Sequence, residues 1–401
     1  MKLVRLLFIV SLLCFPLGEL VRIPLAKDIF VKPLDVLVVI TAICFVLRSL
    51  GKRTVPKSVL TKPTLLFIGI ATMSLFLNSF SLTESQLLVS FMYLGRYIAY
   101  ATMFWVVSSF DEKFRQRIRF TMVFVGISLV FLGFVQYVLY PNLGNLYYVG
   151  WDEHVNRIFS TFLDPNFFGA FLSLFFIFLL SFFLIAKNKQ MKIGLGVCAL
   201  IVASEVFLTF SRSAILMFLV GGSTFFFFQK KRMGTALIAI VIFLFAILAF
   251  TFKTSESTNV FRTASSLARF DSGKEAITIF SSQPIFGIGF NAYRYSVQKM
   301  QSNLPVGRNA VGIEQHGNSS TDTSLLFVLA TTGIVGFGAY LYLLYSILKY
   351  SLVVVRKKNV WGLCVLSSLL SLIVGSLFIN SLFYSLIMYW FWILLGLIEK
   401  E

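Results

Sequence analysis

The sequence predicts an all-α polytopic membrane protein with about twelve transmembrane helices and one long outer loop that carries short amphipathic helices. Of its 401 residues, 58% are hydrophobic, 16% are aromatic and only 13% are charged, whereas a soluble domain is about 25% charged. The apolar residues also occur in runs close to the roughly 20 residues that a membrane-spanning helix needs. These observations exclude a soluble globular enzyme, a disordered chain and a disulfide-stabilised scaffold.

Twelve apolar runs are predicted to span the membrane as helices, because they lack the two-residue alternation of membrane strands. The first begins MKLVRLLFIVSLLCF and resembles a signal peptide, but no A-x-A cleavage site follows it, so we predict an uncleaved helix. The last two runs are joined by a very short turn at Asn380. Together the runs predict a single membrane domain over residues 1–401. The predicted spans are 4–21, 34–49, 63–81, 87–109, 119–140, 164–186, 193–211, 213–229, 234–252, 322–347, 359–376 and 380–398.

The distribution of basic residues predicts that both termini are cytoplasmic and that the loop 253–320 lies outside the cytoplasm. With this orientation, 22 Lys and Arg residues fall in cytoplasmic segments and only four in the short outer loops, as the positive-inside rule requires. Long loops are exempt from that rule. The net charge of +18 therefore reflects membrane topology, and we expect no nucleic acid binding.

The loop 253–320 predicts two amphipathic helices, over 266–282 and 293–300. Between them, the stretch QPIFGIGF contains Pro284, Gly287 and Gly289, which predict a helix end followed by flexible backbone. We expect both helices to lie on the outer membrane surface.

Two arginines fall within or at the end of predicted spans. Arg96 lies in the middle of its segment, where an arginine costs about 2.5–3.5 kcal/mol on the insertion scale, so it should have a polar partner or bind a ligand. Glu205 is the natural partner, and a structural Arg96–Glu205 pair is the simplest interpretation. Arg212 lies at the outer end of its span between two serines. It either anchors the helix at the interface or contacts an anion.

Two further polar residues precede or open the tenth span. Asp322 opens this helix from the outer side, although Asp is also a common N-cap residue, so a structural role is the alternative. His316 lies just before it in a Gly-Asn-Ser stretch. No Walker A, GxSxG, HExxH or CxxC pattern is present, and we expect no nucleotide chemistry at the cytoplasmic face. Arg, Asp, His and Gly at the outer face suit an anionic, polar substrate presented from a lipid.

Three stretches, in this order, resemble the O-antigen ligase/polymerase family of bacterial membrane glycosyltransferases. They are RIFSTFLDPNFFGAFL (157–172), LTFSRSAIL (208–216), and RFDSGKEAITIFSSQPIFGIGF (269–290) followed by DTSLLFVLATTGIVG (322–336). At the spacing set by Gly333 and Gly336, the family's His falls on Asp322. This departure favours a polymerase or a less typical member over a typical ligase.

The resemblance implies a metal-independent, inverting glycosyltransferase in the bacterial cytoplasmic (inner) membrane that needs no cofactor. It would transfer a glycan en bloc from undecaprenyl diphosphate to a glycan or lipid acceptor at the outer face of that membrane. Such a reaction serves the biosynthesis of surface polysaccharide, including lipopolysaccharide, in the cell envelope.

Roles for five residues follow from the resemblance and from their outer-face placement. Arg212 and Arg269 are predicted to clamp the diphosphate, with Arg96 as a weaker third member. His316 is predicted to accept the proton of the acceptor hydroxyl, because its unperturbed pKa of about 6.5 suits general base catalysis. Asp322 would orient His316 or hold the acceptor sugar, since a helix dipole should depress the pKa of its carboxyl group.

Two other classes of protein remain open. A lipid-linked oligosaccharide flippase or other transporter would also carry intramembrane charge, but it should show internal repeats and polar residues along a path. A membrane scaffold without chemistry would leave the arginines unexplained.

Overall fold

Apolar α-helices and one short β-hairpin make up the computed structural model, which describes residues 1–26, 29–52, 58–149, 151–229, 258, 264–302 and 321–398. The hairpin is antiparallel and joins β1, Ile23–Ala26, to β2, Ile29–Val31. The helices are α1 Lys2–Cys14, α2 Pro33–Gly51, α3 Thr61–Leu77, α4 Glu84–Ser108, α5 Glu112–Leu139, α6 Pro165–Ile185, α7 Lys189–Leu208, α8 Arg212–Phe228, α9 Ala264–Ser282, α10 Tyr293–Ser302, α11 Ser324–Arg356, α12 Val360–Gly375 and α13 Ser385–Leu397.

The all-α membrane class is confirmed, but the number of twelve spans is not. Eleven predicted spans overlap described helices, and the ninth, 234–252, lies outside the described residues. Six described helices are long and apolar enough to cross a membrane: α2, α4, α5, α6, α7 and α11. Helices α3, α8, α12 and α13 are apolar but have at most 17 residues, fewer than the roughly 20 that a bilayer requires. The number of full crossings therefore stays a prediction.

Helices α6 and α13 form the centre of the bundle. Every residue of α13 is buried, as expected of a helix that is hydrophobic on all sides. The fully buried Trp390 of α13 packs edge-on against the rings of Phe171, Phe175 and Phe178 on α6, with centroids 5.0, 6.0 and 5.4 Å away. By contrast, α5 exposes large apolar side chains such as Phe124 and Phe131, which suits a helix at the periphery facing lipid.

Helices α9 and α10 form where the two amphipathic helices were predicted, and the segment between them packs into a break in α11. Gly333 has φ +64 and ψ −170 inside α11, so the helix opens there. The Ile334 N–H donates to Pro284 O over 2.9 Å, and the Gly289 N–H donates to Thr331 O over 3.1 Å. The backbone groups released by the break are thus satisfied by the turn 283–290, because buried backbone groups need partners.

Gly287 is required in this turn because the backbone of the turn lies close to the backbone of α11. Gly287 has φ +69, and a Cβ there would overlap the backbone of Thr331. Ser74 of α3 donates from its hydroxyl to both Phe286 O (2.6 Å) and Thr331 O (2.8 Å). The turn, α3 and α11 are therefore joined, and this junction fixes α9 and α10 relative to the bundle.

Candidate active site

A cavity of about 440 Å³ lies where the helices meet the segments that were predicted to be outside. Its wall comes from five stretches, 19–32, 151–167, 268–294, 321–327 and 379–388, together with the middle of α4. None of the described residues in the predicted cytoplasmic loops lines it. The cavity is therefore associated with one end of the bundle, and its lining includes Arg96, Arg269 and Asp322.

Arg269 and Asp322 are brought to the cavity by packing of α9 against the start of α11. Ser272, one turn after Arg269, donates from its hydroxyl to Thr321 Oγ1 over 3.2 Å, and the Asp322 N–H donates to Ser272 Oγ over 3.3 Å. The residue at the N-cap position of α11 is Thr323. Asp322 is therefore not the N-cap of this helix, and its side chain lines the cavity instead.

The carboxyl group of Asp322 is a better proton acceptor than its sequence position indicated. Burial raises its pKa above the ordinary value for Asp, and the nearby Asp164 and Asp152 raise it further, while Arg269 opposes the shift. The prediction that the helix dipole lowers the pKa of Asp322 is therefore wrong, because desolvation of the carboxylate outweighs the favourable charges nearby. A raised pKa makes the ionised form a stronger base.

Arg269 lies in a group of charges that includes a second arginine. Burial lowers the pKa of Arg269, Arg212 lowers it further, and Asp322 and Asp164 act in the opposite direction. Burial also raises the pKa of Asp164. We call these four residues, Arg212, Arg269, Asp164 and Asp322, the Arg269 cluster. Two guanidinium groups that repel each other across a partly buried site are an arrangement that an anion would stabilise.

Arg212 is positioned by contacts between two of the motif stretches. Arg157 donates from Nε to Thr209 O over 2.7 Å, and Ser211 donates from its hydroxyl to Asn166 Oδ1 over 2.9 Å. Ser211 is also the N-cap residue of α8, so Arg212 is the first residue of that helix. Arg212 does not itself line the cavity. A helix N-terminus already carries partial positive charge, so a cation there favours a bound anion.

Arg96 pairs with Asp35, and the predicted Arg96–Glu205 pair is wrong. The guanidinium Nη2 lies 3.1 Å from Asp35 Oδ2 and donates to Phe30 O over 2.6 Å. Tyr100 donates to the other carboxylate oxygen of Asp35 over 2.8 Å. Glu205, on α7, is buried, and its carboxylate oxygens have no hydrogen-bond partner among the described residues. Asp35 pairs with Arg96 because it lies in the first turn of α2, which packs against α4.

A second group of cations lines the cavity and was missed by the sequence analysis. The guanidinium groups of Arg96 and Arg294 lie 4.8 and 5.1 Å from the ring centroid of Tyr93. Arg22 lies 3.9 Å from the ring centroid of Phe30 and also interacts electrostatically with Tyr93. We call Arg22, Arg96 and Arg294 around Tyr93 the Tyr93 cluster. Their sequence positions lie in three separate segments, so no local spacing could have grouped them.

The two histidines differ in what the structure shows. His154 lines the cavity. His316 lies outside the described residues, and its role stays a prediction. Two non-glycine residues of the cavity lining have positive φ, a conformation that often occurs at functional sites. They are His154 and Asn291.

Fold and site together define a multi-pass helical membrane protein with a charged cavity at one end of its bundle. Residues 197–341 match the family model described as O-antigen ligase. This match supports the likeness to the O-antigen ligase/polymerase family that the motifs predicted. The matched segment contains Arg212, Arg269 and Asp322, as well as the helix break at Gly333. A search of curated proteins found no match for the chain.

Proposed function

We propose that this protein transfers a glycan from a polyprenyl diphosphate, with undecaprenyl diphosphate as the expected carrier, to a hydroxyl group of a second glycan or lipid. The reaction would occur at the outer face of the bacterial cytoplasmic membrane, with both termini inside. The observation that carries this proposal is that Asp322 and Arg269 line the same cavity, while Arg212 acts electrostatically on Arg269. The family match over 197–341 supports the same class of reaction.

The chemistry requires a proton acceptor and a group that stabilises the leaving diphosphate. The acceptor oxygen attacks the anomeric carbon, the bond from that carbon to the phosphate oxygen breaks, and the electron pair leaves with the diphosphate. Arg212 and Arg269 stabilise the negative charge that develops there. Asp322 takes the proton of the acceptor hydroxyl, because it faces the cavity and its pKa is raised. No step in this scheme requires a metal ion.

His316 is the residue that the sequence favoured as proton acceptor, so the two assignments need a direct comparison. We would measure glycan transfer in a deletion strain complemented with Asp322→Asn, Asp322→Ala or His316→Ala at matched membrane levels. Loss of transfer in both Asp322 variants with retention in His316→Ala supports Asp322 as the base. If both Asp322 variants retain glycan transfer while His316→Ala loses it, His316 is the base.

The lining of the cavity argues against the flippase alternative. A transporter needs polar groups along a path between the two sides of the membrane. Among the described residues, the cavity is lined by segments from one end of the bundle and by none of the predicted cytoplasmic loops. A glycan profile of the deletion strain tests this choice. Loss of a polymerase leaves single repeats at the surface, loss of a ligase leaves lipid-linked polymer, and loss of a flippase leaves neither.

A further inference from the structure

The loop 151–154 forms part of the cavity wall and carries an aromatic ring next to polar side chains. Trp151, Asp152 and His154 line the cavity, whereas Glu153 between them does not. Trp151 is half-buried and Asp152 is exposed, so a molecule in the cavity can reach both. Ligand sites in proteins typically combine such an aromatic surface with a few convergent polar groups.

Contacts with the protein behind this loop fix its conformation. Trp151 packs against an apolar cluster that includes Leu143 and Phe159. The Leu143 N–H donates to Glu153 O over 2.7 Å. His154 has φ +47, which a non-glycine residue keeps only where the surrounding structure enforces it. The loop is therefore preorganised, and preorganisation lowers the entropic cost of binding.

The loop lies on the same side of the cavity as the proposed proton acceptor. Repulsion by the carboxylate of Asp152 raises the pKa of Asp322, and this interaction weakens with the distance between the two groups. In the proposed reaction, Asp322 takes the proton of the acceptor hydroxyl. A molecule held at the loop is therefore the acceptor, with its reacting hydroxyl directed towards Asp322.

The side chains of the loop match the chemistry of a sugar ring. A carboxylate has two acceptor oxygens, so Asp152 can accept hydrogen bonds from two hydroxyl groups on neighbouring carbons. The indole ring of Trp151 provides an apolar surface for the C–H groups of a sugar. The guanidinium group of Arg22 lies 5.7 Å from the ring centroid of Trp151 and places further donors beside it. A lipid alcohol offers Asp152 a single hydroxyl group at most.

We propose that Trp151 and Asp152 determine the specificity for the acceptor sugar. Trp151 packs against the C–H groups of the sugar ring, and Asp152 accepts hydrogen bonds from two adjacent hydroxyl groups of the same ring. This inference rests on the proposed transfer reaction and adds that the acceptor sugar has a free pair of adjacent hydroxyl groups. A site that binds hydroxyl groups strongly rejects ligands that lack them, because its polar groups are then left unpaired.

Saturation-transfer NMR of the purified protein tests this inference. The probe is the glycan that mild acid releases from the lipid of the deletion strain, which lacks the diphosphate, and the detergent has no sugar head group. We expect saturable binding to the wild type, about tenfold or more weaker binding to Trp151→Ala and Asp152→Asn, and partial retention in Trp151→Phe. Glu153→Gln, at the exposed neighbouring position outside the cavity lining, is the matched control and should bind as the wild type does.

Periodate oxidation of the same glycan tests the recognition of adjacent hydroxyl groups, because periodate cleaves the bond between the carbons that carry them. The oxidised glycan should no longer bind. Thermal unfolding checks that each variant is folded, and Asp152→Asn, at an exposed position, serves if Trp151→Ala is not.

The outcomes separate this inference from the proposed function. No binding to the wild type, unchanged binding to either folded variant, or binding of the oxidised glycan overturns the inference. Failure of the proposed function has a different sign, which is normal glycan transfer by Arg269→Gln at a normal membrane level. Lys189→Gln, at an exposed position at the start of α7, is the control for that transfer assay.

Discussion

Replacing Gly333 by alanine should destabilise the junction between the turn 283–290 and α11. At φ +64 and ψ −170, this backbone conformation is essentially restricted to glycine and costs other residues about 1–3 kcal/mol. A Cβ at Gly333 would also overlap the carbonyl group of Ile285. Two hydrogen bonds cross the junction at this point, from Ile334 N–H to Pro284 O and from the next N–H to the Ile285 carbonyl. With about 0.5–1.5 kcal/mol for each of them, the loss is about 2–6 kcal/mol.

The same helix offers a matched control at Gly338. No atom lies within 4 Å of a Cβ added there, so Gly338→Ala should be neutral or stabilise the helix by about 0.5–1 kcal/mol. Thermal unfolding of the two purified variants in one detergent measures the difference. Glycan transfer should also fall in Gly333→Ala alone, because the turn joins α9, which carries Arg269, to α10, which carries Arg294. Wild-type stability and transfer in Gly333→Ala would refute the role of the junction.

Three further predictions concern the ion pair, the base and the topology. Asp35→Asn should lower the free energy of unfolding by about 3 kcal/mol, which is the low end of the range for a broken buried ion pair because Arg96 is 20% exposed. Thermal unfolding should show that the double variant Asp35→Leu/Arg96→Leu regains stability relative to Asp35→Asn. Because the pKa of Asp322 is raised, the rate of transfer should rise with pH as this carboxyl group loses its proton. If Asp322→Asn is active and its rate still rises with pH in the same way, Asp322 is not the base. In a cysteine-free background, Ser302→Cys should react with an impermeant thiol reagent in intact cells while Lys231→Cys is protected, and the reverse pattern would exclude the topology.

Local patterns predicted the helices and the long-loop structure well. Run length and composition placed eleven of the twelve predicted spans on described helices, because a membrane-spanning segment is recognisable from its own residues. Pro284 and the two glycines after it correctly predicted the break between α9 and α10. The number of full crossings could not be predicted in the same way, since helices such as α13 are apolar because they are buried at the centre of the bundle.

Pairings between distant segments could not be read from the sequence. Asp35 and Arg96 are 61 positions apart, and only the packing of α2 against α4 brings them together. The alternative of an N-cap role for Asp322 followed from its position before an apolar run, but the helix begins one residue later than that alternative required. Arg22 and Arg294 carried no motif, so their place in the cavity became visible only with the fold.

The most direct test of the central claim is glycan transfer by Arg269 variants in a deletion strain at matched membrane levels. If Arg269 stabilises the leaving diphosphate, Arg269→Gln should lower transfer about 100- to 1,000-fold, as does removal of a group that stabilises developing charge. Arg269→Lys should retain part of the activity, because lysine keeps the positive charge. It should not reach the wild-type level, because lysine lacks the planar guanidinium group. Lys189→Gln should transfer at the wild-type level. Full transfer by Arg269→Gln would contradict the account, since the Arg269 cluster would then lie outside the reacting groups.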